Sequence, residues 1–429
     1  MRYGIDRRVR RHDEAGHHRS RRRWIPAAAL VAALPFAGCD TLLEIDAPSR
    51  VRADDLANPG NAPLLVASAV ADFECAFGEW VAAGGLMGNE LVDGQLAARM
   101  WPYDRRSFEE SGGIYASFTC ADADPGVYTT LSTARWAADN ALSVSQEIGD
   151  AELTATSAAY SGYAHLLLGE AMCSAAVDGG PELTSQQMFG LAEEQFSMVA
   201  SGGGPADITN MALVGRARAR LNQGNVSGAA SDAAQVPAGF VRNARFSPAS
   251  FRSSNRIWTL NNRDERMSVE SLYWDLEYMG TPDPRVHVVD QGRTAASDDL
   301  TPLWTQQKYP VQDSPMPIAR YAEAQLIIAE AAGGQTAVDI INELHAAAGL
   351  PAFPGGSDAE IREQLIEERS RELFLEGQHF YTKIRLNLPF TPATGVVFQE
   401  GSGPKGGFYG NTTCLPLPLL EKNNNPNIP

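Results

Sequence analysis

The chain has 429 residues, of which 52 are acidic and 35 are lysine or arginine, and its formal net charge is −17 at pH 7. This charge argues against nucleic-acid binding, because phosphate recognition needs a basic surface, and it favours a neutral or cationic ligand. The length allows a large buried core and, taken alone, suggests two or three domains.

The first 38 residues have the layout of a secretory signal. Three arginines at 21–23 precede an apolar run over 24–36 that is too short to span a bilayer, and two small residues then precede Cys39. This ending resembles a bacterial lipobox, in which the cysteine is lipidated and becomes the first mature residue, although Phe36 stands where such boxes usually carry Leu. We expect a lipoprotein signal peptide over 1–38 and a lipidated, flexible leader over 39–59. The alternative is a plain secretion signal followed by an unrelated cysteine.

Removal of this signal peptide takes away nine basic and three acidic residues and leaves 26 bases against 49 acids, a net charge near −23. The arginine block also loosely resembles a twin-arginine signal, so the export route stays open.

Four cysteines remain in the mature chain: Cys75, Cys120, Cys173 and Cys414. An even number in an oxidising compartment predicts two disulfides, for which three pairings are possible. We favour Cys75–Cys120 with Cys173–Cys414, because the first two lie close together in the N-terminal part. A zinc site is not expected, since no two cysteines have the short spacing of metal ligands.

Apolar residues recur at helical spacing over most of the mature chain. The predicted helices span 62–83, ended by Gly84-Gly85, then 126–149, 152–175, 185–201, 206–222, 226–236, 317–332, 335–348 and 357–380. Ala217 and Ala229 flank a Gln-Gly-Asn turn, and small residues at such places let antiparallel helices pack closely, as in tetratricopeptide units. We expect helix pairs over about 126–237 and 317–380 and an irregular insertion over 238–315, within one domain over 60–429.

The last quarter of the chain contains motifs that resemble those of the SusD/RagB family. They are the stretches 317–331 (PIARYAEAQLIIAEA), 341–351, 367–381 (EERSRELFLEGQHFY), 415–418 (LPLP) and 424–427 (NNPN). The chain departs from the family pattern at Thr382-Lys383, where Asp-Leu is usual.

The resemblance implies a mostly all-α, tetratricopeptide-like scaffold with irregular ligand-binding insertions. It also implies an outer-membrane, surface-exposed lipoprotein that binds a nutrient, commonly a glycan, and that has a TonB-dependent transporter of the SusC type as its partner. A peptide-binding receptor of the RagB kind and a tetratricopeptide scaffold that binds only protein are the alternatives.

Aromatic residues beside polar residues on irregular segments are candidates for sugar binding, because sugars stack their C–H faces on rings and present hydroxyls to polar groups. Two segments qualify, and their candidate residues are Asn89, Glu90, Asp93, Arg99, Trp101 and Tyr103, and then Tyr273, Trp274, Asp275, Tyr278 and Trp304. Trp80 and Trp136 lie on helical patterns and are assigned to the core. Partly buried ion pairs between helices are expected for Arg320, Glu323, Arg369 and Glu372.

Catalytic signals are weak. The sequence has no G-x-S-x-G or H-E-x-x-H motif, and its G-x-G-x-x-G match at 401–406 does not precede a predicted helix. The four histidines of the mature chain are scattered. We therefore predict a binding protein with no catalytic residues, metal or cofactor.

Overall fold

The computed structural model describes residues 58–398 and 405–428. The predicted signal peptide, Cys39 and almost all of the leader lie outside the described residues, as do residues 399–404. Within the described residues, no helix combines the length and apolar character needed to cross a membrane.

Helices dominate the described residues. In chain order they are α1 (Ala62–Gly88), α2 (Trp101–Arg105), α3 (Ile114–Ser117), α4 (Tyr128–Ile148), α5 (Ala151–Ala171), α6 (Ser185–Gly202), α7 (Ala206–Asn222), α8 (Val226–Ala233), α9 (Tyr321–Ala332), α10 (Gly334–Ala348), α11 (Asp358–Glu372), α12 (His379–Arg385) and α13 (Leu419–Asn424). The mostly all-α fold class predicted from the sequence is confirmed.

The long helices form a repeat scaffold. From α4 to α11 each helix packs on the next one along the chain, and α1 packs on α4. The helices α1, α5, α7, α9 and α11 also contact one another in a row, with α4, α6, α8 and α10 packed against that row. This arrangement is typical of tetratricopeptide-like solenoids, in which each helix pair buries its apolar face on its neighbours.

Glycines allow the close approach of α5, α6 and α7. A Cβ atom at Gly162 of α5 would lie 2.6 Å from the Phe196 ring of α6, and one at Gly215 of α7 would lie 2.4 Å from the same ring. The ring therefore fills a space that exists only because both neighbouring helices lack a side chain there.

Short antiparallel strand pairs shape the irregular parts. The strands are β1 (Leu91–Asp93), β2 (Ser174–Ala176), β3 (Glu182–Thr184), β4 (Val241–Ala244), β5 (Met267–Val269), β6 (Glu277–Tyr278), β7 (Thr281–Pro282), β8 (Val288–Thr294), β9 (Pro302–Gln306) and β10 (Met316–Arg320). The pair β4–β10 closes the base of the insertion, β8–β9 and β6–β7 lie within it, and β5 pairs with β1.

Several predicted helix bounds are wrong. The helices predicted over 152–175 and 226–236 end at Ala171 and Ala233, and residues 174–175 belong to strand β2. Helix α1 continues through Gly84-Gly85 to Gly88 and ends at Asn89, whose φ is 67°. Gly85 and Gly88 allow close packing. A Cβ at Gly85 would lie 3.0 Å from the Leu91 side chain, and one at Gly88 would lie 3.0 Å from the backbone of Phe380. Residues 317–320 belong to strand β10, so that helix starts later.

The helix predicted over 357–380 is interrupted after Glu372. Leu375 and Gly377 have φ angles of 55° and 76°, which a continuous α-helix does not allow. The chain turns there and resumes as α12.

Two disulfides tie distant segments to the scaffold. Cys75 of α1 is bonded to Cys120, and Cys173 after α5 is bonded to Cys414 in the C-terminal segment. This is the pairing favoured from the sequence.

The four residues expected to form ion pairs all have charged partners. Arg320 binds Glu372, with Nη1 and Oε1 2.6 Å apart. Glu323 lies 3.5 Å from Arg218, and Arg369 lies 4.0 Å from Glu330.

Candidate functional site

The two predicted binding segments meet along one strand pair. Strand β1 follows α1, and Asp93 of β1 lies opposite Met267 of β5 in the insertion. The backbone N–H of Gly94 then donates to the carbonyl of Arg266, over 2.9 Å. The insertion is therefore fixed beside the loop that contains Arg99 and Trp101.

Asp124 forms salt bridges with two arginines beside the β1–β5 strand pair. Arg99 Nε lies 2.6 Å from Asp124 Oδ2, and Arg266 Nη1 lies 3.2 Å from Oδ1. Asp124 is buried, whereas 51% of the Arg99 side chain is exposed. The buried carboxylate thus holds one guanidinium group at the surface.

Trp101 stands at the start of α2, and its position is fixed from both sides. Its indole Nε1 donates to the carbonyl of Gln95, over 3.1 Å, and its ring centroid lies 6.1 Å from that of Phe398. The side chain is half-buried, so part of the indole remains accessible.

A cavity of about 230 Å³ lies next to these residues. We call it the Arg99 cleft, and its lining residues are Arg99, Pro102, Arg105, Ser107, Phe108, Glu109, Gly112, Gly113, Ile114 and Tyr115. It is lined by residues that carry two aromatic rings, two guanidinium groups, two hydroxyls and a carboxylate. Such a set can stack on a sugar ring and hydrogen-bond its hydroxyls.

Trp274 and Trp304 stack on each other in the insertion. Their ring centroids are 4.5 Å apart and their planes differ by 11°. Trp274 Nε1 donates to the carbonyl of Val269, over 2.9 Å, which fixes the pair beside β5. Both side chains are half-buried, so the pair offers a second aromatic surface.

Besides Glu90, four candidate residues are enclosed by the protein. Asn89 accepts a hydrogen bond from Lys383 Nζ, 2.9 Å away. Tyr103 donates to the carbonyl of Pro125, over 2.8 Å, and Tyr273 lies 2.8 Å from Ser370 Oγ. Asp93 is fully buried beside Lys405, and burial raises the pKa of its carboxyl well above the ordinary value. We assign these four side chains to structure and leave them out of the proposed ligand contacts.

The other candidates lie apart from the Arg99 cleft. Tyr278, on the β6–β7 hairpin, packs edge-on against His345 of α10 with centroids 4.5 Å apart. Glu90 is buried, accepts a hydrogen bond from the backbone N–H of Leu375, and has a pKa raised by burial to about 7. Asp275 is exposed.

Trp136 is not a core residue. It is 45% exposed on α4, while Ala134 and Ala138 on either side are fully buried. Two residues correspond to about 200° around a helix, so the small buried residues already place Trp136 on the opposite face. Trp80, by contrast, is fully buried and donates from Nε1 to the carbonyl of Gly377, as expected for the core.

The sequence reasoning also missed Asp124, Arg266, Arg105 and Phe108. Asp124 and Arg266 are separated by 142 positions, so no local pattern brings them together. Arg105 and Phe108 lie a few residues after Trp101 and share its short helix and the following loop. Their aromatic and cationic character next to a predicted site was the available signal.

A comparison with protein families finds the family that the sequence motifs resemble. The profile of the SusD family matches residues 243–391. No curated protein matches the sequence.

Solved structures share the fold over most of both chains. A SusD-like carbohydrate binding protein from Bacteroides vulgatus has a TM-score of 0.63 and 16% identity, over 86% of this chain and 97% of that chain. A SusD-like protein from Bacteroides fragilis has a TM-score of 0.63 and 13% identity, over 88% and 98%. A laminarin binding SusD-like protein has a TM-score of 0.52 and 14% identity, over 86% and 98%. The resemblance to the SusD/RagB family is therefore confirmed.

Proposed function

We propose that this SusD-like chain is a surface-exposed lipoprotein that binds an oligosaccharide and delivers it to a TonB-dependent, SusC-like transporter in the outer membrane. The main observation in favour of a sugar ligand is that aromatic and polar side chains line the Arg99 cleft together. Two guanidinium groups, two aromatic rings and a carboxylate line this cavity, and Trp101, whose half-buried indole is hydrogen-bonded to Gln95, directly precedes the lining residue Pro102 in the chain. Two of the related structures are of SusD-like proteins described as carbohydrate binding or laminarin binding.

The site is suited to binding without chemistry. Asp124, the carboxylate that organises the cleft, is already paired with Arg99 and Arg266. A glycosidase needs two carboxyl groups flanking the scissile bond, and among the residues that the structure describes Glu109 is the only carboxylate lining the cleft itself. We therefore expect saturable binding and no product release.

Calorimetric titration of the protein lacking residues 1–38 against neutral oligosaccharides tests the ligand class. Trp101→Ala and Trp274→Ala remove the two aromatic surfaces, and we expect affinity to fall about tenfold or more for the variant whose ring stacks on the sugar. Leu64→Ala, at a side chain that is 62% exposed on α1, is the matched control. Unchanged affinity in both tryptophan variants would exclude the proposed site.

The same panel separates the alternatives. Binding of peptides with no binding of glycans would favour a receptor of the RagB kind. Absence of any small ligand, with capture of protein only, would favour a tetratricopeptide scaffold. Release of smaller sugars would indicate a hydrolase.

The lipid anchor is tested by Cys39→Ser in the full chain. We expect this variant to leave the membrane fraction while keeping its ligand affinity, because lipidation needs the cysteine thiol. Retention in the membrane without the transporter would contradict the lipobox interpretation. Co-purification of the unmodified protein with a SusC-like transporter tests the partner.

A further inference from the structure

A second cavity, of about 450 Å³, lies between α4 and α13. We call it the Trp136 groove, and its lining residues are Ala116, Tyr128, Thr129, Ser132, Thr133, Trp136, Pro418, Leu420, Glu421 and Asn424. Trp136 is 45% exposed and Leu420 is 70% exposed. Large apolar side chains are therefore presented to solvent at a concave place.

The polar groups of the groove suit a neutral, hydroxyl-rich ligand. Four hydroxyl side chains, an amide and a carboxylate line the groove together with the indole, and no lysine or arginine of the described residues lines it. Burial and, after it, the nearby Glu421 carboxylate raise the pKa of Tyr128, so its hydroxyl stays protonated at neutral pH. The volume is in the range of small-ligand sites, about 300–1,000 Å³.

The outer wall of the groove is held in place by the rest of the chain. The backbone N–H of Leu419 donates to the carbonyl of Glu110, over 3.0 Å, and Lys422 Nζ lies 3.2 Å from the Glu110 carboxylate. Asn425 Nδ2 donates to the carbonyl of Gly180, over 2.8 Å. Because α13 is already fixed, a ligand need not order this wall when it binds.

The groove lies next to the Arg99 cleft. Helix α3 separates the two cavities: Ile114 and Tyr115 line the cleft, while Ala116 lines the groove. A linear ligand several units long that occupies the cleft could therefore continue across α3 into the groove.

We infer that the Trp136 groove is a second carbohydrate subsite, which stacks later sugar units of an oligosaccharide on Trp136. This inference rests on the proposed function and deepens it: the ligand is a chain of several neutral sugars, and Trp136 adds to affinity for long chains alone.

The test is calorimetric titration with linear oligosaccharides of two and of eight units, from β-1,3-glucan, starch, xylan and mannan. We expect Trp136→Ala to weaken the eight-unit ligand about fivefold to tenfold and to leave the two-unit ligand unchanged. Trp101→Ala should weaken both lengths. Ile148→Ala, which removes another exposed apolar side chain of α4, is the matched control and should change neither. Circular dichroism and melting curves check that each variant is folded.

The outcomes separate the two proposals. If the eight-unit ligand binds and Trp136→Ala leaves its affinity unchanged, the second subsite is wrong while the proposed function stands. Loss of transporter co-purification in Trp136→Ala, with sugar affinity intact, would likewise overturn the subsite and assign the groove to a protein contact. If no glycan binds the unmodified protein, both proposals fail.

Discussion

Replacing Gly215 by alanine tests the close packing of the scaffold. Alanine is favoured over glycine inside a helix by about 1 kcal/mol, so the substitution would stabilise an unconstrained helix. In α7, however, the new Cβ would lie 2.4 Å from Cζ of Phe196. The ring cannot move freely towards α5, because it already packs closely against Gly162. A Cβ atom at Gly162 would lie only 2.6 Å from Cε1 of the ring.

Overpacking of a filled core costs about 1–3 kcal/mol, which offsets or exceeds the gain in helix propensity. We expect Gly215→Ala to lower the free energy of unfolding by up to about 2 kcal/mol. The matched control is Gly190→Ala in α6, because outside its own turn of helix no heavy atom of the described residues lies within 4 Å of the position of its Cβ. That variant should be more stable than the parent by about 0.5–1 kcal/mol.

The assay is urea unfolding followed by circular dichroism, with the disulfides intact. Shrinking the ring in Phe196→Leu should make room for the methyl group, so the cost of Gly215→Ala should fall by about 1 kcal/mol in that background. Equal stabilisation by the two alanine substitutions would refute the packing argument. A cost of Gly215→Ala that is the same beside Phe196 and Leu would refute the assignment of the clash to that ring.

Three further perturbations have defined outcomes. Burial raises the pKa of Glu90 to about 7. Its contribution to stability is therefore full below the unfolded pKa and is lost as pH rises through 7, so the stability advantage of Glu90→Gln over the parent should grow between pH 5 and pH 8, by up to about 3 kcal/mol. An advantage that is the same in urea unfolding at both pH values would contradict this. Joint replacement of Cys173 and Cys414 by serine should lower the free energy of unfolding by about 2–5 kcal/mol, and an unchanged urea midpoint would argue against this bond. Trp80→Phe leaves the buried carbonyl of Gly377 without its 3.0 Å donor and should cost about 1–3 kcal/mol, which thermal unfolding would show as a lower midpoint.

The helical scaffold was predictable from the sequence because its signals are local. Helix α7 spans Ala206–Asn222 as the apolar spacing and the following turn indicate. The prediction failed where one residue type has two physical uses. Gly84-Gly85 can end a helix or allow a close contact, and only the positions of Leu91 and Leu375 beside Gly85 decide between them.

The candidate site was predictable only in part for the same reason. Irregular backbone, aromatic rings and polar neighbours pointed to Arg99, Trp101, Trp274 and Trp304, and the structure leaves all four partly accessible. The sequence cannot separate these from Tyr103 and Tyr273, which are buried and whose hydroxyls find partners 22 and 97 positions along the chain. Burial of a loop aromatic depends on tertiary contacts that have no local signature.

The acidic residues of the motif at 367–381 connect the scaffold to the insertion. Glu368 and Glu372 of α11 both bind Arg285 of the insertion, and Glu372 also binds Arg320 at the end of β10. Burial alone would raise the pKa of Glu372, but Arg320 and Arg285 lower it below the ordinary value, so it stays ionised.

Glu376 extends this cluster by accepting from Lys308 Nζ, 2.6 Å away, and from Arg320. Removing one member of such a buried pair costs about 3–5 kcal/mol, since its partner is left without compensation. The cations Arg285 and Lys308 come from the insertion and Arg320 from the end of β10, and the acids come from one helix and the turn after it. The motif therefore sets where the insertion, with Trp274 and Trp304, sits on the helices, which gives it a structural reason to be present without any contact to ligand.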